Sequence, residues 1–172
     1  ATPEWSEKAH LKLMDDLGVA FSVMSVSSPH IIKAQGAERI DFCRRMNNEG
    51  LEIVSHHPDR LGLFATLPLP DVDAACKMAE EYLKKAVELD PDNFWYRYRL
   101  AGLYGATQRQ ELTVDMYEKL LEDFPKRSEL YLDMVDLYAA QGEYEKALDT
   151  INQVETVFGV SENLVMYRFN LL

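Results

Sequence analysis

A spacing of about 34 residues recurs through the second half of this 172-residue chain. Five separate columns of residues follow that interval, here called the period: Pro91, Pro125 and Gly159; Ala79, Thr113 and Ala147; Leu83, Tyr117 and Ile151; Ala86, Leu120 and Val154; Tyr104, Tyr138 and Leu172. Two helices of about 14 residues, joined by short turns, fill one such period. Because one helix pair cannot bury its own apolar face, the pattern predicts pairs stacked into a solenoid.

The period predicts six helices in the second half of the chain. They are expected at about 72–89, 94–107, 110–123, 128–141, 144–157 and 161–172. The Pro or Gly of each period ends the second helix, because Pro lacks a backbone donor and Gly tolerates a left-handed cap. Ser128 is the expected N-cap of the helix that begins there.

Two stretches show this repeat most clearly, Leu83 to Asn93 and Leu137 to Leu148. They resemble the tetratricopeptide repeat family, although Arg97 and Tyr131 stand where the family most often has Trp and Thr113 replaces a small Ala. The resemblance implies an α-α superhelix. It also implies a scaffold that binds peptide segments of other proteins in a concave groove and performs no catalysis.

The resemblance places ligand contacts on the first helix of each pair. The candidate peptide-binding residues are Trp95, Tyr98, Gly102, Glu129, Leu132, Asp136, Asn163, Met166 and Asn170. We hypothesise that Trp95 and Tyr98 hold an apolar side chain while Glu129 and Asp136 attract Lys or Arg. Aromatic residues at helical spacing also serve as packing residues, so both roles stay open for Trp95 and Tyr98.

Composition and charge narrow the partners. The formal net charge of −11 argues against nucleic acid, because phosphate binding depends on clustered Lys and Arg. The longest apolar runs, such as 61–69, contain Pro and fall short of the roughly 20 residues of a membrane helix. Cys43 and Cys76 lack the spacing of a disulfide framework or zinc ribbon. We therefore expect a protein or peptide partner with apolar or basic segments, no nucleic acid, no membrane insertion and no cofactor.

Residues 1–71 do not follow the period. A helix is due at 60–71, but Gly62, Pro68 and Pro70 oppose one, and the segment instead predicts a short strand and a loop. Upstream, the pattern predicts a helix at 4–17, a strand at 19–26 and a helix at 37–56. This alternation is typical of parallel α/β architecture. The predicted fold is thus mostly α, with a small α/β part at 1–71 followed by helical repeats at 72–172.

The first part also carries family motifs. They are Trp5, His10-Leu11, Met14-Asp15, Gly18, the segment from Ser22 to Pro29, Arg44 to Asn48, and His57 to Ala75. These residues resemble the second superfamily of metal-dependent amidohydrolases, which includes decarboxylases similar to the aminocarboxymuconate semialdehyde enzyme. The resemblance implies a piece of a (β/α)₈ barrel, a fold that takes about 250 residues.

The alternative function is therefore that of a metal-dependent amidohydrolase or decarboxylase-related protein. The resemblance places the family's His-x-His metal ligands before Ala1, and its later ligands beyond the point where the repeats begin. We expect only a non-catalytic portion here, with neither catalytic nor metal-binding residues. The four histidines, His10, His30, His56 and His57, are expected in surface or capping roles, because adjacent side chains on a helix diverge by about 100°.

Asp71 to Leu89 fits both resemblances, which supports the hypothesis of a chimeric chain joined inside one helix. The chain begins at Ala1 without an initiator Met and ends at Leu172 inside a helical pattern, so we expect both ends to be cut. The compartment stays unknown on this basis, with the cytoplasm as the default and a signal sequence left open. The sequence also leaves the partner and the oligomeric state open.

Overall fold

A computed structural model describes residues 5–26 and 34–171, apart from the side chain of Asn163. His30, one of the four histidines, lies outside these residues. The chain divides into two compact units, Ala1–Ala79 and Glu80–Leu172. This division falls inside a helix whose start supplies the buried Ala75 and Met78 to the first unit, and the domain boundary after residue 71 stays a prediction.

The first unit contains a two-stranded parallel sheet with helices around it. Its elements are α1 (Glu7–Asp16), β1 (Ser22–Met24), α2 (Gly36–His56), β2 (Leu61–Leu63) and the first part of α3 (Val72–Leu89). Ser22 pairs with Leu61 and Met24 with Leu63. The first strand was predicted at 19–26, but β1 covers only Ser22–Met24. It is shorter because its partner β2 offers only three residues for pairing.

Asn47 fixes the loop that follows the sheet. Its side chain is buried in α2, and the amide nitrogen donates a 3.0 Å hydrogen bond to the carbonyl of Thr66. The backbone N–H of Thr66 in turn donates a 2.7 Å bond to Asn47 Oδ1. One side chain therefore satisfies both backbone groups of a buried residue, as a neighbouring strand would.

The second unit is a run of antiparallel helices. After the end of α3 come α4 (Phe94–Ala106), α5 (Gln110–Asp123), α6 (Ser128–Ala140), α7 (Tyr144–Phe158) and α8 (Glu162–Leu171). Each described boundary lies within one residue of the range expected from the period. Helix α4 packs on α5 and α6 on α7, and further contacts join α5 to α6 and α7 to α8. The described residues thus form a mostly helical solenoid preceded by a small α/β part.

The columns of the period form the core of the second unit. Tyr117, Leu120, Tyr138, Ala147 and Ile151, all members of those columns, lie together in one buried cluster. Tyr104, from the same column as Tyr138, is buried as well, so both tyrosines are packing residues. Thr113, at an Ala position, is accommodated because Gly105 faces it; a Cβ at Gly105 would lie 3.6 Å from the threonine methyl.

One expected cap is wrong. Helix α6 starts at Ser128 itself, Arg127 occupies the cap position, and no side-chain cap hydrogen bond forms there. The guanidinium of Arg127 instead packs over Phe94, 4.3 Å from the centre of its ring. At the start of α8, the Ser161 hydroxyl does accept a 3.4 Å hydrogen bond from the backbone N–H of Leu164.

Candidate functional site

The first turn of α4 carries an aromatic cluster. Asn93 starts the helix, because its side-chain oxygen accepts from the backbone N–H groups of Trp95 and Tyr96. Phe94 and Tyr98 then stack with ring centres 5.3 Å apart and planes 13° apart. Phe94 is buried, whereas Trp95 keeps 50% of its surface exposed. Trp95 is therefore the aromatic residue of this cluster most available to a ligand.

Tyr98 is held by a carboxylate on the next repeat. Its hydroxyl donates a 2.7 Å hydrogen bond to Asp133 Oδ2, and the hydroxyl of Tyr117 donates to the same oxygen at 3.2 Å. Burial, followed by the hydrogen bond to Asp133, raises the pKa of Tyr98 to about 12. Burial is also the main cause that raises the pKa of Tyr117. The half-buried Tyr98 thus joins α4 to α6 through this hydrogen bond.

Sequence reasoning missed Asp133. The available signal was a carboxylate between apolar residues of α6, flanked by Leu132 and Met134. A charge in such a position usually requires a polar partner. Identifying the two tyrosines as those partners requires the packing of three helices.

The two acidic candidates differ in their surroundings. Glu129 lies 3.4 Å from the guanidinium of Arg127, so its charge is partly neutralised. Among the described residues, Asp136 has no hydrogen-bond or ion-pair partner, and it is exposed. Partial desolvation of the Asp136 carboxyl, and then the negative charge of Asp133, raise its pKa. A cation beside Asp136 would relieve that repulsion.

Three candidates meet in one cleft between α6, α7 and α8. Leu132, Met166 and Asn170 line this cleft of about 680 Å³, together with Ser128, Val154, Phe158, Gly159, Val160, Ser161, Leu164 and Tyr167. Met166 is 60% exposed and Leu132 is half-buried, so both present apolar surface to the opening. The fourth candidate of this region, Asn163, has its side chain outside the described atoms.

Gly102 lies on the exposed side of α4, where a Cβ added to it would meet no atom within 4 Å. The candidates thus fall into two groups. Trp95, Tyr98 and Gly102 lie on α4, and the cleft residues lie on α6 and α8. Glu129 and Asp136, also on α6, contribute the acidic charge. The site assignment itself remains a prediction.

The described residues were compared with what a metal site and a membrane span require. In residues 5–26 and 34–171, no three His, Cys, Asp or Glu side chains come close enough to hold a metal ion. His10 lies 3.2 Å from the Ser22 hydroxyl, and His56 lies 2.9 Å from a Glu7 oxygen. None of the described helices is long and apolar enough to span a bilayer.

The second unit has the architecture of a helical repeat protein built from antiparallel pairs. Models of the tetratricopeptide repeat match residues 113–156 and residues 77–93. The first matched segment runs from α5 to α7, and the second covers most of α3 and the turn that follows it.

Relatives of two kinds are similar to this chain. Gamma-resorcylate decarboxylase of Rhodococcus jostii (strain RHA1) is 38% identical over 84 residues, 48% of this chain and 25% of that protein. Decarboxylase macB of Penicillium terrestre is 25% identical over 107 residues, 60% of this chain and 32% of its own length. Anaphase-promoting complex subunit 3 of Dictyostelium discoideum is 29% identical over 72 residues, 42% of this chain and 7% of that subunit. The chain spans a third or less of each.

Proposed function

We propose that the second unit binds a peptide segment of a partner protein along the face formed by α4, α6 and α8, and that this chain catalyses no reaction. The tetratricopeptide repeats at 77–93 and 113–156 support the proposal, because stacked helix pairs present extended binding surfaces. The similarity to a subunit of the anaphase-promoting complex adds support, since the name of that relative places it in a multi-subunit assembly.

The cleft between α6, α7 and α8 is the observation that carries the proposal. Its volume of about 680 Å³ falls within the range of ligand pockets, about 300–1,000 Å³. Leu132, Phe158 and Met166 give it an apolar surface, and Asn170 adds an amide that can pair with a peptide backbone. An aliphatic or aromatic side chain of the ligand would enter this cleft.

Basic residues of the ligand are proposed to bind at Asp136. The carboxylate has no partner among the described residues, and the neighbouring Asp133 makes an added positive charge favourable. Trp95 supplies exposed aromatic surface on α4. Glu129 is the weaker acidic candidate, because Arg127 already lies beside it. The preferred ligand is thus an apolar segment that carries Lys or Arg.

A peptide array followed by fluorescence anisotropy with the full chain tests this proposal. We expect apolar-basic peptides to bind, and Met166→Glu to weaken them by about tenfold or more, which is about 1.4 kcal/mol. Asp136→Asn should weaken basic peptides by about threefold and neutral analogues by less. The matched controls are Leu112→Glu and Glu111→Gln, both on exposed positions of α5, and each should leave affinity within about twofold.

Two outcomes contradict the proposal. One is an array in which no peptide binds. The other is a triple variant, Trp95→Ala, Asp136→Ala and Met166→Glu, that binds the peptides as tightly as the unmodified protein does. Circular dichroism of each variant shows whether the helices persist, so that a loss of binding is not mistaken for a loss of fold.

The decarboxylase relatives favour one alternative, that the chain belongs functionally with a decarboxylase and carries a non-catalytic portion of it. The identity of 38% to gamma-resorcylate decarboxylase over 84 residues supports this alternative. The coexistence of that likeness with tetratricopeptide repeats also supports the hypothesis of a chimeric chain. Incubation with gamma-resorcylate and measurement of bound zinc test the non-catalytic interpretation. Release of carbon dioxide above that of heat-denatured protein, or one zinc per chain, would overturn it.

A further inference from the structure

A second groove lies between α5 and α7, above α6. Its volume is about 460 Å³, within the range of about 300–1,000 Å³ that is usual for ligand sites. Glu118 and Glu122 lie on its α5 wall, Lys146 and Asp149 on its α7 wall, and the buried Tyr138 of α6 at its base. The groove shares no lining residue with the cleft beside α8, so it is a separate surface of the second unit.

The groove is acidic. The charged side chains that line it are three carboxylates and one ammonium. Glu122 and Asp149 are exposed, and neither has a hydrogen-bond or ion-pair partner among the described residues. The preceding repeat differs, because Lys84 stands one period before Glu118. The negative charge is thus a property of this groove and favours a basic ligand.

The preceding repeat shows how a tyrosine at this position of the period binds a cation. The guanidinium carbon of Arg109 lies 4.4 Å from the ring centre of Tyr104. The same guanidinium donates a 2.7 Å hydrogen bond to a carboxylate oxygen of Glu80. The ring supplies a flat contact and the carboxylate an acceptor, a combination that suits the planar guanidinium.

Tyr138 and Glu143 stand one period after Tyr104 and Arg109. The backbone N–H of Arg109 donates a 2.9 Å bond to the carbonyl of Tyr104, and that of Glu143 donates a 2.9 Å bond to the carbonyl of Tyr138. The backbone angles φ and ψ also agree, at −91° and 65° for Arg109 and −82° and 57° for Glu143. The second repeat therefore keeps the tyrosine and the backbone, but a carboxylate replaces the guanidinium.

Lys146 covers the ring of Tyr138 only loosely. Its ammonium lies 5.7 Å from the ring centre, near the limit of about 6 Å for such contacts. Its ion pair with Glu143 is 3.5 Å long, and the lysine side chain is 59% exposed. Exposed pairs of this kind contribute little free energy, so little opposes the displacement of Lys146 by another cation. The carboxylate of Glu118 is also close, since it accepts a 3.4 Å hydrogen bond from the Tyr138 hydroxyl.

We propose that the groove between α5 and α7 binds a basic segment of a partner protein, with an arginine of that segment over Tyr138. The guanidinium displaces Lys146 and pairs with Glu118 and Glu143, as Arg109 pairs with a carboxylate in the preceding repeat. A further basic residue of the segment meets the exposed carboxylates on the two walls. This binding site is separate from the proposed face of α4, α6 and α8 and does not depend on it.

Titration of the isotope-labelled full chain with an unlabelled peptide of three Gly-Arg units, followed by nuclear magnetic resonance, is the test. The peptide has no apolar side chain, so it offers little to the cleft beside α8. We expect the amide signals of Glu143, Lys146 and Asp149 to shift and those of Met166 and Asn170 to stay. Replacement of each arginine by citrulline keeps the shape but removes the charge, and it should weaken binding by about tenfold or more.

Glu143→Arg restores the internal guanidinium of the preceding repeat. It should fill the site and weaken the peptide by about tenfold or more. Glu145→Arg is the matched control, because it makes the same change of charge at an exposed position two residues on, and it should weaken binding by less than about threefold. Lys146→Ala removes the internal competitor and should strengthen binding by about threefold, a gain that an unfolded variant cannot show. Lys119→Ala, an exposed lysine outside the groove, should stay within about twofold.

Several results would overturn the proposal. They are a peptide that shifts no signal at millimolar concentration, a citrulline peptide that binds as tightly, equal losses in Glu143→Arg and Glu145→Arg, and weaker binding in Lys146→Ala. Loss of binding in Asp136→Asn but not in Glu143→Arg would place the peptide on the other face and would also overturn it. Apolar peptides in the cleft are measured separately, so the proposed function can hold or fail on its own.

Discussion

The hydroxyl of Tyr98 on α4 donates a 2.7 Å hydrogen bond to Asp133 on α6, the corresponding helix of the next repeat. The same carboxylate accepts from Tyr117 on α5. Three helices thus meet at one anionic oxygen, and such charge-assisted bonds are stronger than neutral ones.

Removal of this hydroxyl should weaken the packing between repeats. We expect Tyr98→Phe to lower the free energy of unfolding by about 1.5 kcal/mol, because a hydrogen bond to a charged group is lost while the ring remains. Urea unfolding followed by circular dichroism measures the change. Tyr96→Phe is the matched control, since Tyr96 is an exposed tyrosine on the same turn, and it should change stability by less than about 0.5 kcal/mol. Equal effects of the two changes would contradict the role given to Asp133.

The tyrosine pair also predicts a loss of stability in alkali. The folded pKa of Tyr98 is raised to about 12, above the ordinary value of 10.0. Between these values the unfolded chain releases the proton and the folded chain keeps it, so the free energy of unfolding falls as pH rises. Urea unfolding at several pH values from 9 to 12 should show a shallower fall in Tyr98→Phe than in the unmodified protein. Parallel curves for the two proteins would refute the assignment.

Glu80 on α3 predicts the opposite behaviour in acid. Its carboxylate accepts 2.7 Å bonds from Arg109 and Lys84, and the hydrogen bond from Arg109 is the first cause that lowers its pKa, from 4.5 to about 2. The stabilisation is present above pH 4.5 and is lost as pH falls toward 2. We expect Glu80→Gln to destabilise the protein by roughly 1 kcal/mol at pH 7, with the difference vanishing toward pH 2. Glu111→Gln, an exposed carboxylate on α5, should show neither effect.

The first unit should depend strongly on Asn47. Asn47→Ala removes both hydrogen bonds to Thr66 and leaves the two backbone groups of that residue buried without this partner, which should cost about 3 kcal/mol. Thermal unfolding gives the loss, and amide exchange of Thr66 locates it. The neighbouring exposed Asn48 provides the control, and Asn48→Ala should be close to neutral. A Thr66 amide as protected in Asn47→Ala as in the unmodified protein would show that the loop has another anchor.

The strands should exchange their amide hydrogens faster than the repeats. Within the part of the chain that the structure describes, each strand pairs over three residues with one neighbour, and such short sheets are marginally stable. Hydrogen exchange should therefore show lower protection for residues 19–26 and 61–67 than for residues 94–157. Equal protection would show that the first unit is as stable as the helical one.

Sequence alone predicted the helices well because the period fixes both their length and their buried face. Ala147 and Ile151 had to be buried together once a pair of helices was assigned. The strands were predicted at the right places but not at the right length, since the length of a strand depends on its partner. Phe21, for example, was placed in a strand and precedes β1.

The candidate site was less accessible to sequence reasoning. The phase of α6 and α8 placed Leu132 and Met166 on one side, and the structure brings both into one cleft. The hydrogen bond of Asp133 and the position of Arg127 over Phe94 depend on how separate helices pack, and no spacing along the chain encodes either of them. The sequence left both a packing role and a ligand-binding role open for Trp95 and Tyr98. In the structure only Trp95 keeps half its surface exposed.

The division between Ala79 and Glu80 lies within α3, a helix of 18 residues. No single cleavage can release both units intact. A fragment beginning at Glu80 would keep only the last 10 residues of α3 and one ending at Ala79 only the first 8, so each would lose the backbone hydrogen bonds of the helix that cross the cut. Dissection of this protein into separately expressed halves therefore needs α3 duplicated, with one complete copy in each.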